Sequence, residues 1–414
     1  MTGPAWPLLA AVLVLSAASA GPAPAAEKEK KKRPGRFRVG PVYLTPKLQL
    51  KNAGVDTNVF NQRTGEIPDT SVVLSPTMLA AMPVGRRLRL TGAGNLDLNY
   101  FRRQSSERST DFGGEGRAEV DVGPFTFFGA GGGGQYRQRF TIDIDQRVLR
   151  HERWGSVGVT LAPTRRVSAT LSGTSRISEF ASLAIADVNV KQSLDRDELT
   201  GTAQLRYAFS RRTSFVASAD TIEDRFLRLS RVTSRLTRSY RYLGGFEFGA
   251  KAIVRGRLLA GVREFPVSGS TPRYRGPSLA TSLSFPFLRY GLVTAVGERD
   301  IYFALTPTPL RSSLFRNTYV STRFGGEAAV GLPFALIGRG SFGFEEARYL
   351  LPYPVGSAFA PRVDHLWTGG ISLLRSFRAG IRLGGTLQWA RRVSDFPSFS
   401  YQGLRYGIQG ELVP

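Results

Sequence analysis

The sequence predicts an all-β fold, an antiparallel up-and-down transmembrane β-barrel. Three observations predict it: long segments alternate apolar and polar residues, short turns alternate with long polar connections, and a secretory signal precedes them. In the clearest segment, Leu88–Tyr100, leucine, glycine and tyrosine occupy one parity and mostly polar residues the other. Successive side chains of a strand point to opposite faces, so one face would meet lipid and the other a lumen.

The same alternation returns along the chain. It is clear in Leu199–Tyr207, Ile381–Trp389 and Leu404–Leu412, whereas Leu243 and Leu259 fall on the otherwise polar parity. A strand of about 9–11 residues tilted near 45° crosses a bilayer. Counting the connections predicts about 18 strands, within a range of about 16–18, an even number as in bacterial barrels.

Two kinds of connection alternate strictly between the predicted strands. The short kind carries Pro, Gly or Phe and often Arg, at 83–87, 123–125, 163–166, 209–212, 251–255, 286–288, 332–334 and 375–377. The long kind is polar, at 61–69, 102–112, 141–151, 181–197, 227–238, 266–277, 304–313, 350–363 and 393–402. Short periplasmic turns and long extracellular loops are typical of outer-membrane barrels. The pattern predicts an outer-membrane location with both termini in the periplasm.

The N-terminal region is predicted to be a targeting segment. Residues 1–26 contain the apolar run LLAAVLVL and a small-residue cleavage site, with cleavage expected after Ala20 or, as the alternative, after Ala26. Residues 27–38 form a basic periplasmic linker, either a solvated tail or a contact arm for a periplasmic partner or an anionic polymer. The barrel would occupy residues 39–414.

The charge of the chain is strongly positive. The formal net charge is +24, and the chain contains no cysteine, which excludes a disulfide scaffold and thiolate metal sites. The arginines are scattered at alternate strand positions and in loops, without a basic helix or a recognition motif, so nucleic acid is not the expected partner. Arginine pairs bidentately with carboxylate, phosphate and sulfate. The expected partners are therefore outer-membrane lipid and an anionic solute or polysaccharide.

The sequence offers little catalytic chemistry. The two histidines, His151 and His365, lie in or beside predicted external loops, without a second histidine or cysteine at ligand spacing. A hydrolase at the barrel rim would need a Ser–His or Asp–His constellation. Asp364 precedes His365, but neighbours on a strand face opposite ways. The glycine run Gly129–Gly134 lacks the residues of a phosphate loop and indicates close packing or a bend. No enzyme activity, cofactor or metal is expected.

The polar parity supplies the candidate site. Rings of arginine or lysine favour anions, because charge in a confined aqueous path attracts counter-ions. In the alternative, opposite charges pair across neighbouring strands and fill a wet interior. The residues expected to line the pore are Arg89, Asn95, Asp97, Arg206, Glu247, Arg323, Glu327, Arg339, Arg382, Gln388 and Arg405.

The start of the predicted barrel resembles a known family. The segments Val39–Pro41, Leu44–Leu48 and Gly54–Phe60, with the turn-and-restart pattern of Tyr207–Phe215, resemble a beta-barrel porin family whose members often accompany exopolysaccharide or capsule gene clusters. The resemblance implies an outer-membrane protein that the barrel-assembly machinery inserts, with a role in surface-polysaccharide export. It supplies no catalytic residues.

The expected function is an outer-membrane channel for diffusion or export of anionic solutes, among them acidic exopolysaccharide. The alternative is a structural or adhesive surface protein whose lumen is plugged. The sequence leaves open whether a loop folds into the lumen.

Overall fold

The computed structural model describes residues 36–139, 145–185, 188–228, 236–266, 273–287, 291–305, 316–351, 353–355, 358–377 and 380–412. The predicted signal (1–26) and nearly all of the predicted linker lie outside these residues. Phe37 and Arg38, which end the predicted linker, belong with Val39 to a short strand that pairs with the start of the barrel.

The described residues form mainly β-strands. Five are short: β1 (Phe37–Val39), β9 (Ala184–Ile185), β10 (Val188–Asn189), β19 (Tyr353–Val355) and β20 (Ala358–Ala360). Eighteen long strands form the barrel: β2 (Val42–Asp56), β3 (Asp69–Val84), β4 (Leu88–Phe101), β5 (Ser109–Val122), β6 (Phe125–Gln138), β7 (Val148–Leu161), β8 (Val167–Phe180), β11 (Arg196–Ala208), β12 (Thr213–Phe226), β13 (Leu236–Phe248), β14 (Arg255–Phe265), β15 (Tyr274–Phe287), β16 (Gly291–Leu305), β17 (Arg316–Leu332), β18 (Leu336–Tyr349), β21 (Val363–Ser376), β22 (Ile381–Ser394) and β23 (Tyr401–Leu412).

Helical structure is sparse among these residues. One short helix, α1 (Val190–Leu194), and two single-turn 3₁₀ segments, Ser105–Glu107 and Pro397–Phe399, lie in the long connections. No described helix has both the length and the apolar character needed to cross a membrane.

The sheet closes on itself. Each long strand pairs antiparallel with the next, and β23 pairs with β2 from Leu48↔Leu412 to Asp56↔Arg405, with a register shift between Leu50 and Ala53. Closure satisfies the backbone hydrogen bonds of every wall strand and leaves no unpaired edge, which is the condition for a sheet to cross hydrocarbon. The predicted up-and-down barrel of 18 strands is confirmed.

The outer face of the wall is apolar. Leu199 and Leu205 of β11 are 57% and 52% exposed on the isolated chain, and Ile371 of β21 is 62% exposed. The intervening residues Thr200 and Thr202 face the interior. An exterior of this kind is stable only against lipid. The predicted alternation of the two faces is therefore confirmed in these strands.

The observed connections keep the predicted order of short and long. The main difference is at the long connections, several of which are shorter than predicted, because β5 begins at Ser109 and β7 at Val148. The polar residues there continue the ladder beyond the apolar belt, since paired strands satisfy backbone groups in water as well as in lipid. By the usual asymmetry of outer-membrane barrels, the short-turn end is periplasmic and the long-loop end extracellular.

The two leucines that broke the sequence pattern face inward together. Leu243 and Leu259 are 7% and 4% exposed and pack with Val216 and Ala280 on four consecutive strands. This apolar patch lies inside an otherwise polar wall. It explains why these residues occupy the inner parity.

Close packing accounts for the glycine run in β6. A Cβ atom added at Gly134 would lie 2.4 Å from the carbonyl oxygen of Phe112 and 2.6 Å from the Tyr136 hydroxyl oxygen. At Gly132 it would lie 2.5 Å from the carbonyl oxygen of Gly114. The ring of Tyr136 points inward and covers this stretch of the wall. Residues larger than glycine would displace the ring.

Candidate functional site

The barrel encloses a cavity of about 1510 Å³ that both polar and apolar side chains line. Its lining extends from Ala250, in a short turn, to Asn61, in a long connection. Alternate residues of the strands supply the lining, because only every second side chain points inward. The cavity therefore reaches residues at both ends of the barrel.

One side of this cavity is lined mainly by hydroxyl groups. The Ser156 and Thr174 hydroxyls are 3.0 Å apart and those of Thr160 and Thr170 are 2.9 Å apart, on β7 and β8. Further round, the Thr202 hydroxyl donates to Asp220 at 2.9 Å. Such a wall offers donors and acceptors to a hydrated solute without adding net charge.

At the short-turn end, cations outnumber the carboxylates that they pair with. Glu411 of β23 lies 2.9 Å from Lys47, 3.4 Å from Arg382 and 3.8 Å from Arg339. These cations come from β2, β22 and β18, so the contacts cross the interior face of several strands. We call Lys47, Arg339, Arg382 and Glu411 the Glu411 cluster.

A second group at the same end also contains more cations than carboxylates. Glu119 of β5 lies 2.8 Å from Arg117 and 3.5 Å from Arg89. In the two groups, five cations share two carboxylates. Glu327 of β17 adds one carboxylate that interacts with Arg339, so within these groups five cations face three carboxylates.

Several other predicted pore-lining residues pair with an opposite charge two strands away on the inner face. Arg206 lies 3.2 Å from Glu247, and Asp97 lies 2.8 Å from Lys51. Asn95 and Gln388 share the inner face of β4 and β22 with the charged residues of those strands. By strand register the eleven residues share the inner face, and Glu247, Arg323, Gln388 and Arg405 are the ones among them that line the cavity. That they line a conducting pore stays a prediction.

The middle of the wall holds a charge network in which only Arg323 was among the residues expected to line the pore. Arg241 of β13 donates to Asp220 at 2.8 Å and to Asp300 at 3.1 Å. Arg323 lies 2.9 Å from Glu345 on the next strand. Strand parity could have identified the other residues, because they occupy the same inner positions as those that were chosen.

At the long-loop end, the described ends of one connection, Arg139 and 145–147, lie over the lumen. Asp145, in the connection between β6 and β7, lies 2.5 Å from Arg392 of β22, which is only 1% exposed. Arg139, at the start of the same connection, donates to the Val59 carbonyl oxygen at 2.6 Å. Arg405 pairs closely with Asp56 below this layer. The described ends of this connection therefore narrow the extracellular side of the lumen.

Two arginines of this inward connection have altered acidity. Burial, together with repulsion from Arg139 and Arg405, lowers the pKa of Arg147 to about 10. Burial also lowers the pKa of Arg139. With a pKa of about 10, Arg147 remains cationic at neutral pH, so this end of the connection carries a positive charge into the lumen.

The histidines lie away from the interior. His365 of β21 faces outward, 3.5 Å from Glu346, and stacks on Phe344. Asp364 is fully buried on the inner side and pairs with Arg362 at 2.5 Å, so the two neighbours face opposite ways as predicted. His151 is exposed on β7. Within the described ranges, no group of three His, Cys, Asp or Glu residues could hold a metal ion.

Comparison with known proteins found similarity only among solved structures. No family model and no curated protein matches the chain. The siderophore receptor PirA from Acinetobacter baumannii is 8% identical, with a TM-score of 0.47, covering 91% of this chain and 81% of its own. A BenF-like porin from Pseudomonas fluorescens Pf-5 is 11% identical, with a TM-score of 0.42, covering 90% and 99%.

A structure described as a bacterial polysaccharide outer membrane secretin is 9% identical, with a TM-score of 0.35, covering 90% of this chain and 98% of its own. Likenesses at this level carry no argument about function. The closed pairing, the apolar exterior and the polar interior define the class: the chain is a transmembrane β-barrel of the outer-membrane type.

Proposed function

We propose that the barrel is an outer-membrane channel that favours anionic solutes, with acidic polysaccharide as the substrate class. The observation that carries the proposal is the Glu411 cluster, in which three cations share one carboxylate on the inner face of the barrel at its short-turn end. A barrel of about 16–18 strands is wide enough for an aqueous channel.

The excess positive charge lies at the end of the channel that an exported solute would enter first. The Glu411 cluster and the Arg89–Arg117–Glu119 group lie at the short-turn end, which is periplasmic by its turn lengths. Positive charge in a confined path raises the local concentration of anions. An anionic solute arriving from the periplasm would meet this excess first, so the arrangement suits export.

Two features support an acidic sugar chain as the solute. Arginine forks bind carboxylates bidentately, and a series of them offers successive contacts along a chain. The hydroxyl wall near Ser156 and Thr202 supplies partners for sugar hydroxyls. A rigid anionic polymer could therefore exchange contacts along the cavity without a single tight site.

Reversal potentials in planar bilayers under a salt gradient test the anion preference. Replacing Arg339 and Arg382 by Gln should lower the anion-to-cation permeability ratio, and Glu411→Gln should raise it, because the first removes cations and the second the shared carboxylate. Arg348→Gln, on the outer face, is the matched control and should change nothing. Equal selectivity in all variants, or a cation-selective wild type, would overturn the proposal.

The substrate class needs a separate measurement. Polygalacturonate added on the short-turn side should block the current, dextran of the same length should not, and R339Q/R382Q should weaken the block. If small anions are favoured but polygalacturonate has no effect, the channel proposal stands and the polysaccharide assignment falls.

The inward connection favours the alternative of a plugged, structural barrel. If Asp145 and Arg392 hold the lumen shut, the wild type will carry no current and Asp145→Asn will open it. A current in the wild type that Asp145→Asn changes only slightly would exclude the plug. No current in either protein would exclude the channel.

A further inference from the structure

The turns at the short-turn end form a second basic surface, outside the lumen. Seven exposed cations lie in four turns, and the same turns contain no Asp or Glu. We call this set the basic turn cluster: Arg86, Arg87, Arg165, Arg166, Arg211, Arg212 and Lys251. They join β3 to β4, β7 to β8, β11 to β12 and β13 to β14, so the set covers a wide arc of the rim.

Exposed apolar side chains accompany these cations. Ile253 is 76% exposed beside Lys251, Phe209 is 58% exposed beside Arg211, and Val84 is 43% exposed beside Arg86. A surface that binds only a soluble polyanion has no need of apolar side chains at its tips. Basic residues interleaved with apolar ones are typical of surfaces that contact lipid at the headgroup level.

The position of the basic turn cluster also indicates contact with lipid headgroups. The turns join strands whose outward residues meet hydrocarbon, so their tips lie at the level where the apolar belt ends. Tyr207 is 40% exposed on the outer face of β11 and its ring packs edge-on against Phe209 at 5.0 Å between centroids. Aromatic girdles mark the membrane interface in barrels of this class. The cations therefore lie where phospholipid phosphates would be.

We propose that the basic turn cluster binds anionic phospholipid of the periplasmic leaflet. Arginine pairs bidentately with phosphate, and each cation near an anionic surface adds roughly fivefold in affinity. The apolar tips Phe209 and Ile253 would reach the boundary between headgroups and acyl chains. The lipid contact does not depend on the channel, because it uses neither the Glu411 cluster nor the Arg89–Arg117–Glu119 group.

Lipid retention tests the proposal directly. The full chain is reconstituted in vesicles of phosphatidylethanolamine with a minor share of phosphatidylglycerol, extracted with mild detergent, and its bound lipids are measured by mass spectrometry. Phosphatidylglycerol should be enriched on the wild type. R165Q/R166Q/R211Q/R212Q should reduce that enrichment by roughly tenfold or more, since contributions within one mobile lipid layer add only partly.

A matched variant removes four exposed arginines at the other end of the barrel. R63Q/R102Q/R103Q/R273Q should retain phosphatidylglycerol like the wild type. Equal retention by the turn variant and the wild type, or equal loss in both variants, would overturn the inference. So would a turn variant that keeps the lipid but loses binding of polygalacturonate, because the surface would then be one for polymers. Heat-dependent gel migration of each variant checks that the barrel is folded.

Discussion

The two ends of the lumen contain the same residue types in different proportions. At the short-turn end three cations share the Glu411 carboxylate. At the long-loop end, among the described residues, each carboxylate pairs with one arginine: Asp364 with Arg362, and Asp56 with Arg405. The first arrangement leaves positive charge available to a solute. In the second, each of these two carboxylates neutralises its own arginine, and the pair holds chain segments together.

Burial follows the same division. The side chains of Arg362 and Asp364 are 1% and 0% exposed, and the guanidinium of Arg362 lies 3.6 Å from the centroid of the Phe399 ring. Arg382 of the Glu411 cluster is 34% exposed. A guanidinium covered by an aromatic ring and a carboxylate cannot attract ions from solution. The comparison teaches that an inward arginine acts on a solute only where its partners do not match its charge.

Breaking the buried Arg362–Asp364 pair should have the largest effect, a loss in the free energy of unfolding. Asp364→Ala leaves the Arg362 guanidinium buried without its carboxylate, which should cost about 3–5 kcal/mol in the free energy of unfolding. Urea unfolding in phospholipid vesicles, followed by tryptophan fluorescence, measures the loss. Glu346→Ala removes the partner of His365 on the outer face, where both groups are partly exposed, and should cost less than about 1 kcal/mol. Equal losses would contradict the distinction between buried and exposed pairs.

Neutralising charges at the two ends of the lumen should change the ion selectivity of the channel in different ways. Arg405→Gln should lower and Asp56→Asn should raise the anion-to-cation permeability ratio by about twofold, since each unbalances one pair. The double variant R405Q/D56N should return the ratio to that of the wild type. K47Q/E411Q should also preserve the ratio, because two cations remain, whereas R339Q/R382Q should not. Reversal potentials measure all of them, and a double variant as altered as its single variants would refute pairwise neutralisation.

The smallest expected effect is a change in stability at high pH that depends on Arg147 in the inward connection. The pKa of Arg147 is lowered to about 10 by burial, so this group loses its proton in the folded state before it does so in the unfolded state. Between about pH 10 and its ordinary value the unfolded state binds more protons, so stability attributable to Arg147 rises with pH. The denaturation midpoint of the wild type should therefore rise relative to that of Arg147→Gln above pH 10. A constant difference would show that burial does not disfavour its charge.

Much of the architecture was predictable because it depends on local alternation. In β11, for instance, Leu199 and Leu205 point to lipid and Thr200 and Thr202 to the cavity, as their positions along the strand require. The turn between Phe209 and Arg212 was placed correctly for the same reason. The strand starts at Ser109 and Val148 were missed, because polar residues that continue a paired strand in water look like loop residues.

The sequence by itself determined which residues could face inward, since the side chains of any strand alternate between two faces. Only the tertiary structure decided which of them pair: Arg339 meets Glu411 across the curved wall, and Arg392 meets Asp145 although 247 residues separate them. Such contacts depend on the closure of the sheet and on the path of a connection over the lumen. No local pattern in the chain specifies either, because both are set by strand register summed around the whole barrel.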